Sequence, residues 1–181
     1  MTAAAALGYG SLTPQQVLDA LDAVGLRGDG RILQLNSYEN RVFQVFLEDG
    51  RAVVAKFYRP GRWSDEQIVE EHRFALELAA EEVPVVPPLR LTADPQARLA
   101  LQQLQPGGDA TLATVRVGDA THRFAVAERC AGREPELDHP GTLRRIGRFI
   151  GRLHAVGRRS AYRHRLTLDP PPDGRRARDR L

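Results

Sequence analysis

The sequence contains little cysteine, little lysine and no long apolar run, and each of these features excludes some classes of protein. Cys130 is the single cysteine among 181 residues, so no disulfide can form within the chain, and a reducing compartment is expected. No apolar run approaches the roughly 20 residues that a membrane helix needs. Residues 1–10 lack the basic flank and the apolar centre of a signal peptide. We predict a soluble, cytoplasmic protein without a membrane partner.

The remaining composition is that of an ordinary folded domain. The chain is 42% hydrophobic and 27% charged, which excludes a disordered chain, and its length suits one domain or one domain with part of a second. Its 26 basic residues divide into 25 arginines and the single lysine Lys56. Because the background is so strongly biased towards arginine, this one lysine calls for a chemical explanation.

Charge is distributed unevenly along the chain. Residues 1–140 carry 14 basic and 20 acidic side chains, whereas residues 141–181 carry 12 arginines and three aspartates. The basic end could bind nucleic acid electrostatically. However, Phe149 and Tyr162 are the only aromatic residues there, which is too few for a stacking platform. A solvated basic surface is the favoured interpretation, and we do not expect nucleic acid as a partner.

Hydrophobic periodicity and turn signals predict an α+β fold with an antiparallel sheet and a helix packed on it. Glu48-Asp49-Gly50 lies between two alternating runs and predicts a hairpin. The predicted elements are a helix over 13–24, strands over 32–38, 41–47 and 52–58, a helix from Ser64 to just before Val83, a strand and a long loop within 92–121, a strand over 121–129, and a helix over 142–156.

Lys56 is a candidate phosphate ligand. Its strand holds side chains in alternating directions, so Lys56 is predicted to point away from the face of Ala55 and Phe57. A lysine held in that way can bind phosphate as a compact point charge. The following helix offers several carboxylates as partners, of which Glu71 shares the buried stripe and Glu70 is the second choice.

The other candidates have weaker support. The turn 36–40 is short and polar, and the Ser37 hydroxyl and the turn's backbone N–H groups could face a phosphate. Cys130 has no assignable base, which favours a small connector residue over a nucleophile. The five histidines show no metal-ligand spacing and are interpreted as structural or surface residues.

Several long segments resemble the bacterial stress response kinase A family, which are serine/threonine protein kinases of the aminoglycoside-phosphotransferase-like superfamily. The segments are LNSYENRVFQV (35–45), VAKFYRPGRWSDEQIVEEHRFALEL (54–78), VPVVPPL (83–89) and IGRFIGRLHAVG (146–157). The resemblance covers most of residues 12–168 in order. It implies a bilobal kinase-like fold with ATP and Mg²⁺ between the lobes and a protein substrate.

The resemblance also implies roles for individual residues. Ser37 falls on an ATP-site serine in a turn that replaces the usual glycine-rich loop, Lys56 on the phosphate-contacting lysine and Glu71 on its helix partner. Residues 128–130 would form the hinge whose backbone bonds the adenine edge. The implied ATP-binding residues are therefore Ser37, Asn40, Lys56, Glu71, Glu128 and Cys130.

The same resemblance implies a division of the chain. Residues 1–11 would form an N-terminal tail, 12–132 a small lobe with its hinge at about 128–132, and 133–181 the beginning of a large lobe. The helix over 142–156 would then carry apolar positions without packing partners, through which the chain could associate.

One departure from the family pattern decides the expected activity. Kinases of this kind need an H-G-D-x-H-x-x-N catalytic loop and a later metal-binding aspartate, and no H-G-D occurs in this sequence. We therefore expect a truncated kinase that is inactive alone, with no catalytic and no metal-binding residues to assign. Two alternatives stay open: a nucleotide-binding or regulatory module without catalysis, and a nucleic-acid-binding protein using residues 144–180.

Overall fold

A computed structural model describes residues 12–97, 101–104 and 110–167, which form one antiparallel sheet and three helices. The helices are α1 (Pro14–Asp22), α2 (Asp65–Ala80) and α3 (Pro140–Gly157). The strands are β1 (Gly28–Leu35), β2 (Arg41–Leu47), β3 (Ala52–Phe57), β4 (Leu101–Leu104), β5 (Ala113–Val117) and β6 (Ala120–Glu128). The predicted α+β class is confirmed.

The sheet has the strand order β1-β2-β3-β6-β5-β4, and each neighbouring pair is antiparallel. The predicted hairpin joins β2 to β3 and pairs Val42 with Lys56. Gly50 takes a φ of +83° in its turn, a conformation that favours glycine over residues with a Cβ. β3 and β6 are the two central strands, so Lys56 lies on a strand that is paired on both sides.

Helix α1 covers one face of the sheet. Thr13 accepts the N–H of Gln16, and the Gln16 side chain accepts the N–H of Thr13, so a capping box starts the helix. Its apolar stripe then packs on the buried side chains of the central strands, which removes both surfaces from water. The members of this core include Val17, Leu21, Phe43, Val45, Phe57, Phe124 and Val126.

Helix α2 covers the opposite face, and its start was predicted correctly. Ser64 accepts the N–H of Gln67, and the Gln67 side chain accepts the N–H of Ser64. Ile68 packs in a second, smaller core with Tyr58 and Ala125. The sheet is therefore held between two helices, and a side chain on the α2 face lies between the sheet and that helix.

The interpretation of 92–121 as one strand and a long loop is wrong. The described part of this stretch contains both β4 and β5, and β5 turns directly into β6 through Gly118 and Asp119. Gly118 takes a φ of +59° in that turn. A Gly-Asp pair between two alternating runs is a known hairpin signal. That signal was present in the sequence and predicts the extra strand.

Helix α3 packs against α2 through its C-terminal half. His139 caps it by accepting the N–H of Gly141, and Val156 packs against Leu78 and Val83. On its open side, Leu143 is 55% exposed and Ile150 is 43% exposed. Association through these apolar positions stays a prediction. None of the described helices is long and apolar enough to cross a membrane.

Candidate functional site

The alternation of β3 places Lys56 in a cavity between the sheet and α2. Ala55 and Phe57 are fully buried on the α1 face, whereas Lys56 lies on the other face and is partly exposed. The cavity has a volume of about 220 Å³ and is mostly apolar. Its lining includes Val42, Val54, Lys56, Glu71, Pro88 and Ala127.

Lys56 has two partners in this cavity. Its Nζ lies 3.8 Å from Glu71 Oε1 and 4.6 Å from the centre of the Tyr58 ring. The contact between Lys56 and Glu71 is an ion pair, because its distance is too long for a hydrogen bond. The contact with the Tyr58 ring is a cation–π contact. The Lys56 and Glu71 side chains keep 36% and 41% of their surface exposed, so a ligand entering the cavity can reach both.

A buried hydrogen-bonded chain supports the Tyr58 ring from behind. The Tyr58 hydroxyl lies 2.7 Å from His72 Nε2, and His72 Nδ1 lies 2.8 Å from Thr111 Oγ1. A neutral imidazole satisfies both contacts, because one ring nitrogen accepts and the other donates. Burial lowers the pKa of His72 to about 4 and raises the pKa of Tyr58, so both groups are neutral at pH 7.

This histidine gives the fold a specific acid sensitivity. Between its unfolded pKa near 6.5 and its folded pKa of about 4, the unfolded chain binds the proton that the folded chain does not. Stability therefore falls as pH decreases through this window. Between pH 7 and pH 5 we expect the titration of His72 to lower the free energy of unfolding by about 2 kcal/mol. Urea unfolding at each pH measures this change.

The matched variant for this prediction is His72→Gln, whose amide can bond both hydroxyls but does not titrate. Its loss of stability over the same pH range is expected to be smaller by that amount. An equal pH dependence in the two proteins would contradict the assignment.

Glu71 and Glu70 are held by residues that follow α3. Glu71 Oε2 lies 2.9 Å from Arg165 Nη1, so this carboxylate has an arginine as well as Lys56 beside it. The Glu70 carboxylate accepts the backbone N–H groups of residues 163–165, and these bonds, led by that of Arg163, lower the pKa of Glu70. Of the two carboxylates considered as the partner of Lys56, Glu71 makes the contact, and Glu70 is only 7% exposed and directed elsewhere.

The Ser37 turn is organised by side-chain bonds. Ser37 Oγ accepts the N–H of Asn40 at 3.3 Å, and Asn40 Oδ1 accepts the N–H of Arg59 at 3.2 Å. The second bond ties the β1–β2 turn to the segment that follows β3. Asn40 therefore has a structural task that the sequence did not reveal, and its role in ATP binding stays a prediction.

The predicted hinge residues lie where β6 ends. Glu128 pairs with Val53 across the sheet, and its carboxylate lies 3.1 Å from Arg51 Nη1. Cys130 follows in an exposed segment without regular structure. Of the six predicted site residues, Lys56 and Glu71 line the cavity, and the other four lie outside its described lining.

Three residues around Lys56 and Glu71 were not predicted from the sequence, namely Tyr58, Pro88 and Arg165. Pro88 reaches the cavity because Leu89 donates its N–H to Val126 O at 2.7 Å, alongside a bridge between Pro88 and Ala127. Tyr58 had a signal, since it lies two residues after Lys56 on the same face of an extended strand. Arg165 had none, because nothing local in the sequence relates it to α2.

The Lys56 ammonium group and the apolar walls of this site suit an anion beside a flat apolar group. The cavity offers one ammonium group and one carboxylate between mostly apolar walls. Within the described residues, no three histidine, cysteine or acidic side chains cluster as a metal site would require. We therefore assign no magnesium ligands among the described residues.

Comparison with known proteins extends these observations. Stress response kinase A of Salmonella choleraesuis (strain SC-B67) is 40% identical over 160 residues, covering 88% of this chain and 43% of the relative. Serine/threonine protein kinase RdoA of Salmonella typhimurium (strain LT2) is 39% identical over 160 residues, with the same two shares. The chain thus spans less than half the length of these curated relatives.

The fold and the family follow from two further matches. The solved structure of amicoumacin kinase hAmiN in complex with AMP-PNP, Ca²⁺ and Ami has a TM-score of 0.67 at 19% identity, covering 90% of this chain and 44% of that chain. The predicted kinase-like fold is confirmed. The sequence model of the phosphotransferase enzyme family matches residues 31–181. This chain belongs to the phosphotransferase enzyme family.

Proposed function

We propose that this chain is the nucleotide-binding part of a serine/threonine protein kinase and that it binds ATP in the cavity between the sheet and α2. The observation that carries the proposal is the Lys56–Glu71 pair at the edge of an apolar cavity. An ammonium group kept in place by a carboxylate is a suitable ligand for phosphate oxygens. The matched relatives are named as kinases, which supports the proposal that this chain is part of a kinase.

The cavity suggests how the two ends of ATP would be divided. The apolar side chains of Val54, Pro88 and Ala127 offer flat surfaces for the base, and Lys56 offers its charge to the phosphates. The backbone of residues 128–130 follows directly on this wall and would bond the edge of the base. The Ser37 turn would contribute its hydroxyl or N–H groups to the phosphates.

The same proposal assigns the two lobes. Residues 12–132 would be the small lobe with its hinge at about 128–132, and 133–181 the beginning of a large lobe. Transfer of a phosphoryl group needs a base for the substrate hydroxyl and ligands for magnesium. The sequence contains no H-G-D motif, and we assign neither role to a residue of this chain. We therefore propose that the chain alone binds ATP but does not transfer phosphate to protein.

Calorimetric titration of the chain with Mg-ATP tests the binding. We expect weak binding, with a Kd of about 100 µM or higher. This Kd corresponds to a binding free energy of about 5.5 kcal/mol, a modest value for a ligand that the protein contacts on one side only. Incubation with labelled ATP and a generic protein substrate is expected to give no transfer. Transfer that disappears in Lys56→Ala would overturn the proposed inactivity.

The second candidate is a regulatory module that binds nucleotide without any catalytic half. It shares the cavity and the Lys56–Glu71 pair, so the two differ in affinity. A Kd in the low micromolar range would favour the regulatory module, because tight binding would mean that the described residues already complete the site.

A further inference from the structure

The segment that follows α3 folds back onto α2 and surrounds a single carboxylate. Glu70 Oε1 accepts the N–H of Arg163 at 2.7 Å, and Oε2 accepts the N–H groups of His164 at 3.0 Å and Arg165 at 2.8 Å. Three consecutive backbone donors around a carboxylate form an anion-binding concavity. Such charge-assisted bonds are about twice as strong as bonds between neutral groups.

Further contacts fix the same segment from both sides. The Gln67 side chain donates to His164 O at 2.8 Å, and the Tyr162 ring meets Phe74 edge-on at 5.6 Å between centres. The Arg165 guanidinium lies 4.5 Å from the centre of the Trp63 ring. Residues 162–165 are therefore attached to α2 along two turns of the helix, by hydrogen bonds and by ring contacts.

Arg165 connects this attachment to the candidate ATP site. Its Nη1 is within hydrogen-bond distance of Glu71 Oε2 at 2.9 Å, whereas Lys56 Nζ lies 3.8 Å from Glu71 Oε1. The arginine contact is thus the shorter of the two, and it engages the oxygen that does not face Lys56. The Glu71 carboxylate therefore lies between two cations, with Lys56 beside one oxygen and Arg165 beside the other.

We propose that residues 163–165 form a clasp on α2, anchored by Glu70, and that Arg165 is a positioning residue that orients Glu71 towards Lys56. The proposal about Lys56 rests on the proposed function, because the value of the orientation lies in phosphate binding. It assigns Glu70 and Glu71 different tasks: Glu70 holds the segment, and Glu71 receives the arginine that the segment carries.

The clasp itself is tested by amide hydrogen exchange on the full chain without nucleotide. In an unstructured segment the amides of residues 163–165 would exchange at their intrinsic rates. We expect clear protection in the unmodified protein and several-fold faster exchange in Glu70→Gln, whose neutral amide is a weaker acceptor. Arg158→Ala, which removes an exposed arginine near the end of α3, is the control and should leave these amides protected. Unprotected amides in the unmodified chain would overturn the clasp.

The positioning role is tested through the reactivity of Lys56, which is the single lysine and can be followed by mass spectrometry after limited labelling with an amine-reactive ester. A Glu71 carboxylate oriented towards Lys56, 3.8 Å from its Nζ, holds the ammonium group in place and limits its access to the reagent. Arg165→Ala should therefore speed labelling of Lys56, and Arg165→Lys should restore part of the protection. In the Glu71→Gln background Arg165→Ala should not speed labelling further. An equal effect in both backgrounds would mean that Arg165 does not act through Glu71.

Nucleotide affinity provides the second readout. Arg165→Ala is expected to weaken Mg-ATP binding about two- to fivefold, the range of a partly exposed ion pair, and the loss should vanish in the Glu71→Gln background. Tighter binding in Arg165→Ala would show that Arg165 competes with Lys56 and would overturn the positioning role. If the unmodified chain does not bind nucleotide, the proposed function fails, while exchange and labelling still decide the clasp and the positioning role.

Discussion

Replacing Lys56 with alanine is expected to weaken binding of Mg-ATP at least about tenfold, because a charged hydrogen bond contributes about 1.5–3 kcal/mol. Lys56 lies at the edge of the apolar cavity with Glu71 at 3.8 Å, and it is the only ammonium group in the described lining. Its loss removes the charge proposed to meet the phosphates. Stability should change little, since a partly exposed ion pair contributes about 1 kcal/mol or less.

The measurement can be made on the lysine itself as well as on the ligand. Because Lys56 is the single lysine, ATP should protect it from an amine-reactive ester in a concentration-dependent way, with a midpoint equal to the calorimetric Kd. The matched control is Arg73→Ala, which removes one exposed positive charge from α2 outside the cavity. If a folded Lys56→Ala protein binds ATP as the unmodified chain does, the site lies elsewhere.

Phe57, the residue that follows Lys56, is expected to contribute to the stability of the fold and not to ATP binding. Phe57 is fully buried on the α1 face, where its ring stacks on Phe124 at 5.2 Å and meets Phe43 edge-on at 6.1 Å. Phe57→Ala should lower the free energy of unfolding by about 3–5 kcal/mol, because it removes buried surface and leaves a cavity that the sheet cannot close. Urea unfolding followed by circular dichroism measures this loss.

Phe46→Ala is the matched control for that experiment. Phe46 alternates to the other face of β2, is only partly buried, and has the Arg31 guanidinium 4.5 Å above its ring. The same chemical change should cost about 1 kcal/mol there. Should Phe57→Ala fail to fold, Phe57→Leu keeps most of the volume and should still cost more than the control. Equal losses at the two positions would contradict the assignment of the faces.

The positions of Lys56 and Glu71 were predictable because they depend on local geometry. Strand alternation separates Lys56 from Phe57, and helical spacing places Glu71 on the stripe that faces the sheet. Both rules act within a few residues, so the sequence states them directly. Glu70 illustrates the limit. It differs from Glu71 by one position, and its surroundings come from residues 93 to 95 positions further along the chain.

The local features of the fold were also predictable from the sequence. Capping residues gave the starts of α1 and α2, and the Asp-Gly turn gave the central hairpin. One of the two strands β4 and β5 was missed although the Gly-Asp turn after β5 was visible in the sequence, because residues 92–121 were interpreted as one strand and a long loop. The order of the strands, with β6 between β3 and β5, is set by pairing over long separations and has no local signal.

The sequence alone determined the single lysine, the starts of α1 and α2, the faces of the strands and the absence of an H-G-D motif. Only the tertiary structure decided which groups surround the lysine: the Tyr58–His72–Thr111 chain behind its aromatic neighbour, and Arg165 beyond its carboxylate partner. The physical reason is that capping and alternation are enforced by backbone geometry over a few residues. Contacts across the sheet and between distant segments arise only when buried surfaces pack together.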